Sequence, residues 1–298
     1  NKHNTRCAVT NKQNKDSLKQ LSVFVQQQGT FCDFPGGDSW VILSPIEQSI
    51  KRKIEAVGTP LKDWDIQINY GIKTGFNDAF IISTEKRNEI LANCATEEER
   101  KKTDELIRPI LRGRDIKRYG YEWANLWLIN THNGVKGRIP RIRIEDYPAV
   151  KAHLDRYWDK IKDRADQGDT PYNLRNCAYL DLFFQPHICW KAVGRKLAFS
   201  LVESGVFLTA PASFISGGKY NETILHYLCS NVGTYFIYKN SDTTGAGDIM
   251  LNIQSLIRFP VPIGNLETKG LSHEEINNAI YKIYGFTNAE ISYIESQI

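Results

Sequence analysis

The chain has 298 residues, a net charge of +4, 41% hydrophobic and 24% charged residues. This composition is ordinary for a globular protein with a hydrophobic core and excludes a disordered or low-complexity chain. The longest apolar stretches are far shorter than the roughly 20 residues that cross a bilayer, so we expect no membrane partner. No signal peptide is visible at the N-terminus, which we expect to continue from a longer polypeptide. Six scattered cysteines without a Cys-x-x-Cys pair favour a cytoplasmic protein and give no support to a zinc site.

Residues 1–30 are polar and read as a connecting segment, with a helix predicted near Ser17–Gln28. Phe31–Leu43 is short and aromatic and contains the turn formers Pro35-Gly36-Gly37. A helix is predicted from Ser44-Pro45, because apolar residues recur every three to four positions and Gly58 follows its end.

Ile66–Asn69 and Ala79–Ser83 are predicted strands, joined by the turn-rich segment Tyr70–Asp78. One interpretation is a hairpin whose backbone and Lys73 contact a DNA phosphate, and the other is a purely structural turn. The segment lacks the spacing of a nucleotide-binding loop, so NTP binding is not expected.

The remaining strands and helices are segregated along the chain and show no internal repeat, which favours an α+β class over a doubly wound sheet. Helices are predicted at Thr84–Leu111, Ile144–Asp166, Thr223–Tyr238, from Ser272, where Glu275 completes a capping pattern, and near Thr287. Strands are predicted at Trp123–Asn130, within Phe184–Phe214, and at Phe259–Pro262, with a glycine-rich loop at Thr243–Gly247.

Two basic runs are broken by glycine and proline, which places their cations on or beside loops. The first is Ile107–Arg118, with Arg108, Arg112, Arg114, Lys117 and Arg118 against one acid, Asp115. The second is Lys136–Arg143, with Lys136, Arg138, Arg141, Arg143 and no acid. Such loops suit phosphate contacts, and arginine also reads guanine. The plainer interpretation is a solvated surface.

No histidine of the chain lies at a known motif spacing from a nucleophile, and neither Gly-x-Ser-x-Gly nor His-Glu-x-x-His occurs. We therefore predict no catalytic residue, no metal and no cofactor in this chain.

Several segments resemble the TaqI-like C-terminal specificity domain of type IIG restriction-modification enzymes, the Eco57I-like adenine N6 DNA methyltransferases. Tyr70–Ile82 is similar to the family's Gly-Ile-x-Thr-Gly-x-Asn-x-x-Phe signature, and Ile107–Tyr119 to its Leu-x-Gly-x-Asp-Ile-x-Arg-Tyr element. Weaker similarities are the helix Leu225–Tyr238 with Arg258–Pro262 after it, and Ile283–Thr287 with Glu290-Ile291.

The resemblance implies an α+β, mixed-sheet target-recognition domain at 41–265, with flanking helices and a helical C-terminal segment at 266–298. Residues 1–40 would be a linker or the tail of an upstream methyltransferase domain. That covalently linked domain would bind S-adenosylmethionine and carry an Asn-Pro-Pro-Tyr/Phe motif, which does not occur here. The parent enzyme would be a site-specific adenine N6-methyltransferase, with or without an endonuclease.

The partner implied is double-stranded DNA. The backbone contacts are assigned to Lys73, Thr74, Asn77, Arg112, Arg114, Lys117 and Arg118. Base reading is assigned to the loops with Lys136, Arg138, Arg141 and Arg143, and with Lys219 and Tyr220. The alternative is a protein-interaction domain that docks a restriction or phage-defence subunit, and a hydrolase with an unrecognised site is a third reading.

Overall fold

The computed structural model describes residues 5–10, 15–32, 42–264, 266, 268 and 270–298. The predicted turn at 35–37 lies outside these ranges. Both predicted domain boundaries fall on or beside residues outside them, so the division at 40/41 and 265/266 stays a prediction.

The described chain alternates short helices and strands. The helices are α1 Leu21–Gln28, α2 Pro45–Val57, α3 Asn77–Phe80, α4 Thr84–Ala92, α5 Glu97–Leu106, α6 Pro148–Asp155, α7 Trp158–Ile161, α8 Asn221–Cys229, α9 Asn231–Asn240, α10 Ile253–Leu256, α11 His273–Tyr284 and α12 Asn288–Ser296. The strands are β1 Thr5–Cys7, β2 Thr30–Cys32, β3 Thr59–Pro60, β4 Gln67–Tyr70, β5 Ile81–Ser83, β6 Ile107–Leu111, β7 Ile116–Lys117, β8 Gly120–Tyr121, β9 Leu126–Ile129, β10 His187–Trp190, β11 Val193–Gly194, β12 Phe199–Val202, β13 Phe207–Leu208, β14 Ser213–Ser216, β15 Asp242–Thr243, β16 Ile249–Met250 and β17 Pro260–Val261. Short 3-10 turns include Gly113–Asp115, Leu180–Phe184 and Gly218–Tyr220.

A central antiparallel sheet of order β12-β10-β14-β4 separates two hydrophobic cores. Successive residues of a strand point to opposite faces. Ile188 and Trp190 accordingly pack into a core with α2, α8 and the C-terminal helices, whereas Cys189 and Phe214 pack into the other. Strand β10 is therefore buried on both faces, which is why it reads as a continuous apolar run.

The core of Cys189 and Phe214 is called the first core, and that of Ile188 and Trp190 the second core. A second sheet of order β13-β6-β9-β5 lies beside the first core. Strand β6 is parallel to β13 and antiparallel to β9, so this sheet is mixed. The α+β class with mixed strand pairing, flanking helices and a helical C-terminal end is confirmed. Among the described helices, none combines the length and apolar character that a bilayer crossing requires.

The hairpin predicted over residues 66–83 is wrong. Strand β4 pairs with β14 in the central sheet, while β5 pairs with β9 in the second sheet. Between them, Asn77–Phe80 forms one helical turn instead of the start of a strand. The two short apolar runs are neighbours in sequence, but each finds its hydrogen-bonding partner more than 40 residues away.

Three predicted long helices are divided in the structure. The predicted helix Thr84–Leu111 ends at Ala92, restarts after the capping residue Thr96, and gives way to strand β6 at Ile107. The predicted helix Thr223–Tyr238 is interrupted at Ser230, whose hydroxyl accepts from the N–H of Gly233 and caps α9. Ile144–Asp166 likewise becomes a 3-10 turn followed by α6 and α7.

Capping boxes begin α2, α11 and α12, and the sequence predicted the one at Ser272. Ser44 caps α2 with Glu47, Ser272 caps α11 with Glu275, and Thr287 caps α12 with Glu290. In such a box the hydroxyl and the carboxylate each satisfy a backbone N–H that the helix leaves unpaired. The helix starts at Pro45, Ser272 and Thr287 are thus confirmed.

Glu290 also joins the C-terminal helices to α2. Its carboxylate accepts from Lys53 Nζ at 2.6 Å, from Ser49 Oγ at 2.7 Å and from the Thr287 N–H at 2.7 Å. Burial by itself would raise the pKa of Glu290, but the hydrogen bonds from Lys53, Thr287 and Ser49 lower it to about 2. The charged form is therefore the one that the fold stabilises.

We expect Glu290→Gln to lower the free energy of unfolding at pH 7 by on the order of 2 kcal/mol. Because the pKa in the folded chain lies below its ordinary value, the stabilisation is fully present above about pH 4.5 and is lost as the pH falls towards about 2. Urea unfolding at pH 7 and near pH 2.5 measures this. A gap between wild type and variant that stays the same at both pH values would contradict it.

Candidate nucleic-acid interface

The second basic run forms a short loop whose backbone is bonded to itself. Val135 and Ile139 pair as an antiparallel bridge, with N···O distances of 2.8 and 2.9 Å. Gly134 and Gly137 both have a φ of 75°, which favours glycine, and a side chain at Gly134 would meet the carbonyl oxygen of Ile139 at 2.5 Å. The loop therefore keeps its backbone shape without help from its cationic side chains.

Asn173 fixes the base of this loop. It is 2% exposed, and its Nδ2 donates to the carbonyl oxygen of Ile142 at 2.9 Å. The N–H of Leu174 donates to the carbonyl oxygen of Thr131, also at 2.9 Å. The residues 131–143, called the reading loop below after the base reading predicted for them, are thus closed by a segment some 30 to 40 residues further along the chain.

A buried arginine joins the segment that closes the reading loop to the turn that carries Lys73. Arg164 is 6% exposed, and its Nε donates to the carbonyl oxygen of Thr74 at 2.8 Å. Its terminal nitrogens donate to the carbonyl oxygens of Ile161, Pro171 and Asn173. Burial lowers the pKa of Arg164 to about 10, so the guanidinium stays charged at neutral pH. Arg164 therefore holds backbone carbonyls from three segments. Its neighbours in sequence are polar, so the sequence alone does not distinguish it from a surface arginine.

The cations of the reading loop divide into paired and unpaired groups. Arg138 Nη1 lies 2.8 Å from Asp181 Oδ2, and Arg141 Nη1 lies 3.1 Å from Asp169 Oδ2. Lys136 and Arg143 are exposed, and no described carboxylate lies within ion-pair distance of them. The run contains no acid in sequence, but the fold brings two acids to it from later in the chain.

Lys73, Thr74 and Asn77 have different surroundings although they share one turn. Lys73 is exposed, whereas Thr74 is 3% exposed and its Oγ1 donates to Asn77 Oδ1 at 2.6 Å. The hydroxyl of Thr74 therefore stabilises the turn and does not face solvent, in contrast to the predicted phosphate contact. Lys73 and the exposed Asn77 stay predicted DNA contacts.

Arg112 is held by an acid of its own run. The Asp115 carboxylate is 5% exposed and accepts from Arg112 Nε at 3.0 Å, from its Nη2 at 2.8 Å and from its backbone N–H at 2.8 Å. Burial would raise the pKa of Asp115, but these bonds to Arg112 lower it overall. Arg112 thus shapes the turn Gly113–Asp115, in which the next cation, Arg114, is exposed.

The rest of the first run lines a groove together with two lysines from another part of the chain. Strands β7 and β8 form a hairpin that packs on β12, with the N–H of Tyr119 donating to the carbonyl oxygen of Phe199 at 2.8 Å. This hairpin faces the β10–β12 connection across a groove of about 570 Å³. The cations of this basic groove are Arg114, Lys117, Arg118, Lys191 and Lys196.

The charge of the basic groove is largely uncompensated within the described chain. None of its described lining residues is acidic. Lys117 lies 3.2 Å from Glu122, and Arg118 donates to the carbonyl oxygen of Cys229 and lies 2.8 Å from His273 Nε2. Arg114, Lys191 and Lys196 have no described carboxylate within 4 Å. The groove therefore offers a concentrated site for an anion such as a phosphate backbone.

Sequence analysis missed Lys191 and Lys196. The signal was available, because 191–196 holds three cations and a glycine without an acid. This segment follows a strand within the predicted β-structured stretch Phe184–Phe214, so its cations do not stand out as part of a loop.

Lys219 and Tyr220 lie on the 3-10 turn between β14 and α8. Lys219 is exposed, with its Nζ 5.0 Å from the centre of the Tyr220 ring. The Tyr220 ring packs edge-on against Trp64 at 5.1 Å, so the second core occupies part of its surface. Base reading by this turn stays a prediction.

Two buried histidines, His187 and His153, have structural surroundings. His187 is fully buried, its Nδ1 lies 2.9 Å from the carbonyl oxygen of Gln185, and burial lowers its pKa to about 4. His153 Nε2 lies 3.0 Å from the carbonyl oxygen of Ala79. Over the described parts of the chain, no group of three His, Cys, Asp or Glu residues is placed to hold a metal ion.

No protein-family profile and no curated protein matches the chain. Among solved structures it is similar to part of the type IIL restriction-modification enzyme MmeI, which was solved in complex with DNA. That match has 13% identity and a TM-score of 0.55, and it covers 90% of this chain and 39% of the other. The type IIG restriction endonuclease BpuSI matches with 14% identity and a TM-score of 0.46 over 85% of this chain and 31% of the other. The chain thus shares the fold of part of a restriction-modification enzyme and spans about two fifths of that enzyme's length.

Proposed function

We propose that this chain is a sequence-specific double-stranded DNA recognition domain of a restriction-modification enzyme, and that it positions DNA for a separate catalytic domain. The observation that carries the proposal is the basic groove, where five cations line one surface without a described acidic neighbour in the lining. Lysine and arginine contacts to phosphates supply most of the non-specific affinity of DNA-binding proteins. The fold shared with an enzyme solved on DNA supports the same reading.

Within this proposal the two basic surfaces have different tasks. The basic groove holds the phosphate backbone, which fixes the position of the protein but carries no sequence information. The reading loop presents arginine side chains, which are suited to the guanine edge in the major groove. Lys73 adds a backbone contact from the turn that Arg164 joins to this loop.

The catalytic part of the proposal follows the family resemblance. A covalently linked methyltransferase domain of the parent chain would bind S-adenosylmethionine and methylate adenine N6 after flipping the base from the duplex. The TaqI-like specificity domain of a type IIG enzyme is the affiliation that we propose on the motifs at 70–82 and 107–119.

The proposal is tested by titrating the chain with a labelled random-sequence duplex and reading fluorescence anisotropy at about 50 and about 200 mM salt. We expect a Kd near the micromolar range at the lower salt and an increase of at least tenfold at the higher salt, because counterions are released on binding. Absence of binding at low salt, or binding that does not respond to salt, would overturn the proposal and favour a protein-interaction domain.

A further inference from the structure

We infer that Asp169 and Asp181 form ion pairs with the base-reading side chains of the reading loop while DNA is absent. When DNA binds, these side chains leave the two carboxylates and contact base edges and phosphates instead. The inference rests on the proposed DNA-recognition function. It adds that the two carboxylates determine when the side chains of the reading loop are free to contact DNA. It concerns the groove of about 900 Å³ between residues 133–141 and 169–178.

Arg138 shows the occupied state most directly. Its Nη1 donates to Asp181 Oδ2 and its Nη2 to the carbonyl oxygen of Ala178, both at 2.8 Å. Arginine reads guanine by donating two parallel N–H groups to O6 and N7. One hydrogen of each terminal nitrogen is thus donated inside the protein, and we infer that Arg138 leaves Asp181 to present both terminal nitrogens to a base.

Asp169 holds two further side chains of the same loop. Its Oδ2 accepts from Arg141 Nη1 at 3.1 Å, and its Oδ1 accepts from Asn133 Nδ2 at 2.9 Å. Asparagine is the side chain that pairs with the edge of adenine, as arginine does with guanine. One carboxylate therefore occupies a potential guanine reader and a potential adenine reader together.

For the two arginines the exchange needs little energy and no backbone movement, whereas Asn133 also accepts from the Asp169 N–H at 2.8 Å and donates to Asn176. The side chains of Arg138 and Asp181 are 54% and 42% exposed, and those of Arg141 and Asp169 are 40% and 61% exposed. Ion pairs this accessible to water contribute little to stability, so they are easily replaced. The loop keeps its shape through its own Val135–Ile139 hydrogen bonds and through Asn173, so rotation of the side chains is sufficient.

Discrimination between sequences follows from this arrangement. On a random sequence the two carboxylates lie close to DNA phosphates and repel them, with no base contact in return. On the target sequence the released arginines and Asn133 gain hydrogen bonds to base edges. Repulsion of wrong partners is a general source of specificity. Here the repulsion comes from the two carboxylates beside the reading loop, and the basic groove does not contribute to it.

The test compares Asp181→Asn with Glu97→Gln. Glu97 pairs with the exposed Arg100 at 3.5 Å on helix α5, so both variants remove one negative charge from an exposed arginine pair. In the random-duplex titration we expect Asp181→Asn to tighten binding by about three- to fivefold beyond any effect of Glu97→Gln. Asp169→Asn is expected to act in the same direction, and circular dichroism confirms that each variant is folded.

Equal effects of Asp181→Asn and Glu97→Gln would overturn the inference, because only the net charge would matter. Weaker binding by a folded Asp181→Asn variant would overturn it as well, because the ion pair would then build the DNA-competent loop. Both results leave the proposed function intact, since the wild type still binds duplex with a steep salt dependence. Absence of binding by the wild type would instead remove the proposed function, and this inference with it.

Discussion

Replacement of Lys191 and Lys196 by glutamine is expected to weaken binding of random-sequence duplex by roughly ten- to a hundredfold at about 0.1 M salt. Both lysines line the basic groove without a described carboxylate within 4 Å, so their charges are available to phosphates. Each lost phosphate contact lowers the salt slope of binding by about 0.9, and the double variant should lower it by about 1.8. Glutamine is uncharged and keeps the Cβ and Cγ methylenes of the stem, so packing close to the backbone changes little.

The matched control is Lys101→Gln with Lys160→Gln, two exposed lysines outside the lining of the basic groove. It removes the same net charge from the surface. If this control lowers the affinity and the salt slope as much as the groove variant does, the basic groove is not the contact surface and only the overall charge attracts DNA. Anisotropy titrations at three or more salt concentrations give both quantities.

Replacement of Arg164 by methionine is expected to lower the free energy of unfolding by on the order of 3 kcal/mol. The guanidinium donates to the carbonyl oxygens of four residues, and methionine fills the space without supplying a donor. Each buried carbonyl that loses its donor costs about 1 kcal/mol or more. The contact of the guanidinium with the ring of Phe80, 4.5 Å from its centre, is lost too.

Arg156→Met serves as its control, because Arg156 is exposed and pairs with Glu89 at 3.3 Å. Exposed pairs of this kind contribute less than about 1 kcal/mol. Urea unfolding of both variants measures the difference. If Arg164→Met is as stable as Arg156→Met, Arg164 does not hold the reading loop and the Lys73 turn together. If the expectation holds, the DNA affinity of the folded variant should also fall, since two cationic segments lose their common anchor.

The places where sequence analysis succeeded depend on contacts close in sequence. Ser44, Ser272 and Thr287 each cap a helix with a carboxylate three residues later, so the whole signal lies within one turn. The apolar repeat of α2 and the proline-bounded strand Pro260–Val261 are equally local. The α+β class followed from the order of such elements.

The failures depend on partners far along the chain. Strands β4 and β5 looked like a hairpin, but they pair with Ser213–Ser216 and Leu126–Ile129. The helix predicted to continue to Leu111 ends earlier because Ile107–Leu111 finds strands on both sides. Local propensity does not register such pairings, and tertiary contacts override it.

The candidate site shows the same division. The sequence by itself determined that two glycine-broken runs carry the cations, because composition and turn formers are properties of the chain alone. Only the tertiary structure decided how each cation is used: Arg112 is held by buried Asp115, Arg138 by Asp181, and Arg114 faces a groove with Lys191 and Lys196. A cation is held inside the fold, or is free to bind an anion, according to which group the fold brings within a few ångströms of it. Those groups lie up to about 80 residues away in sequence.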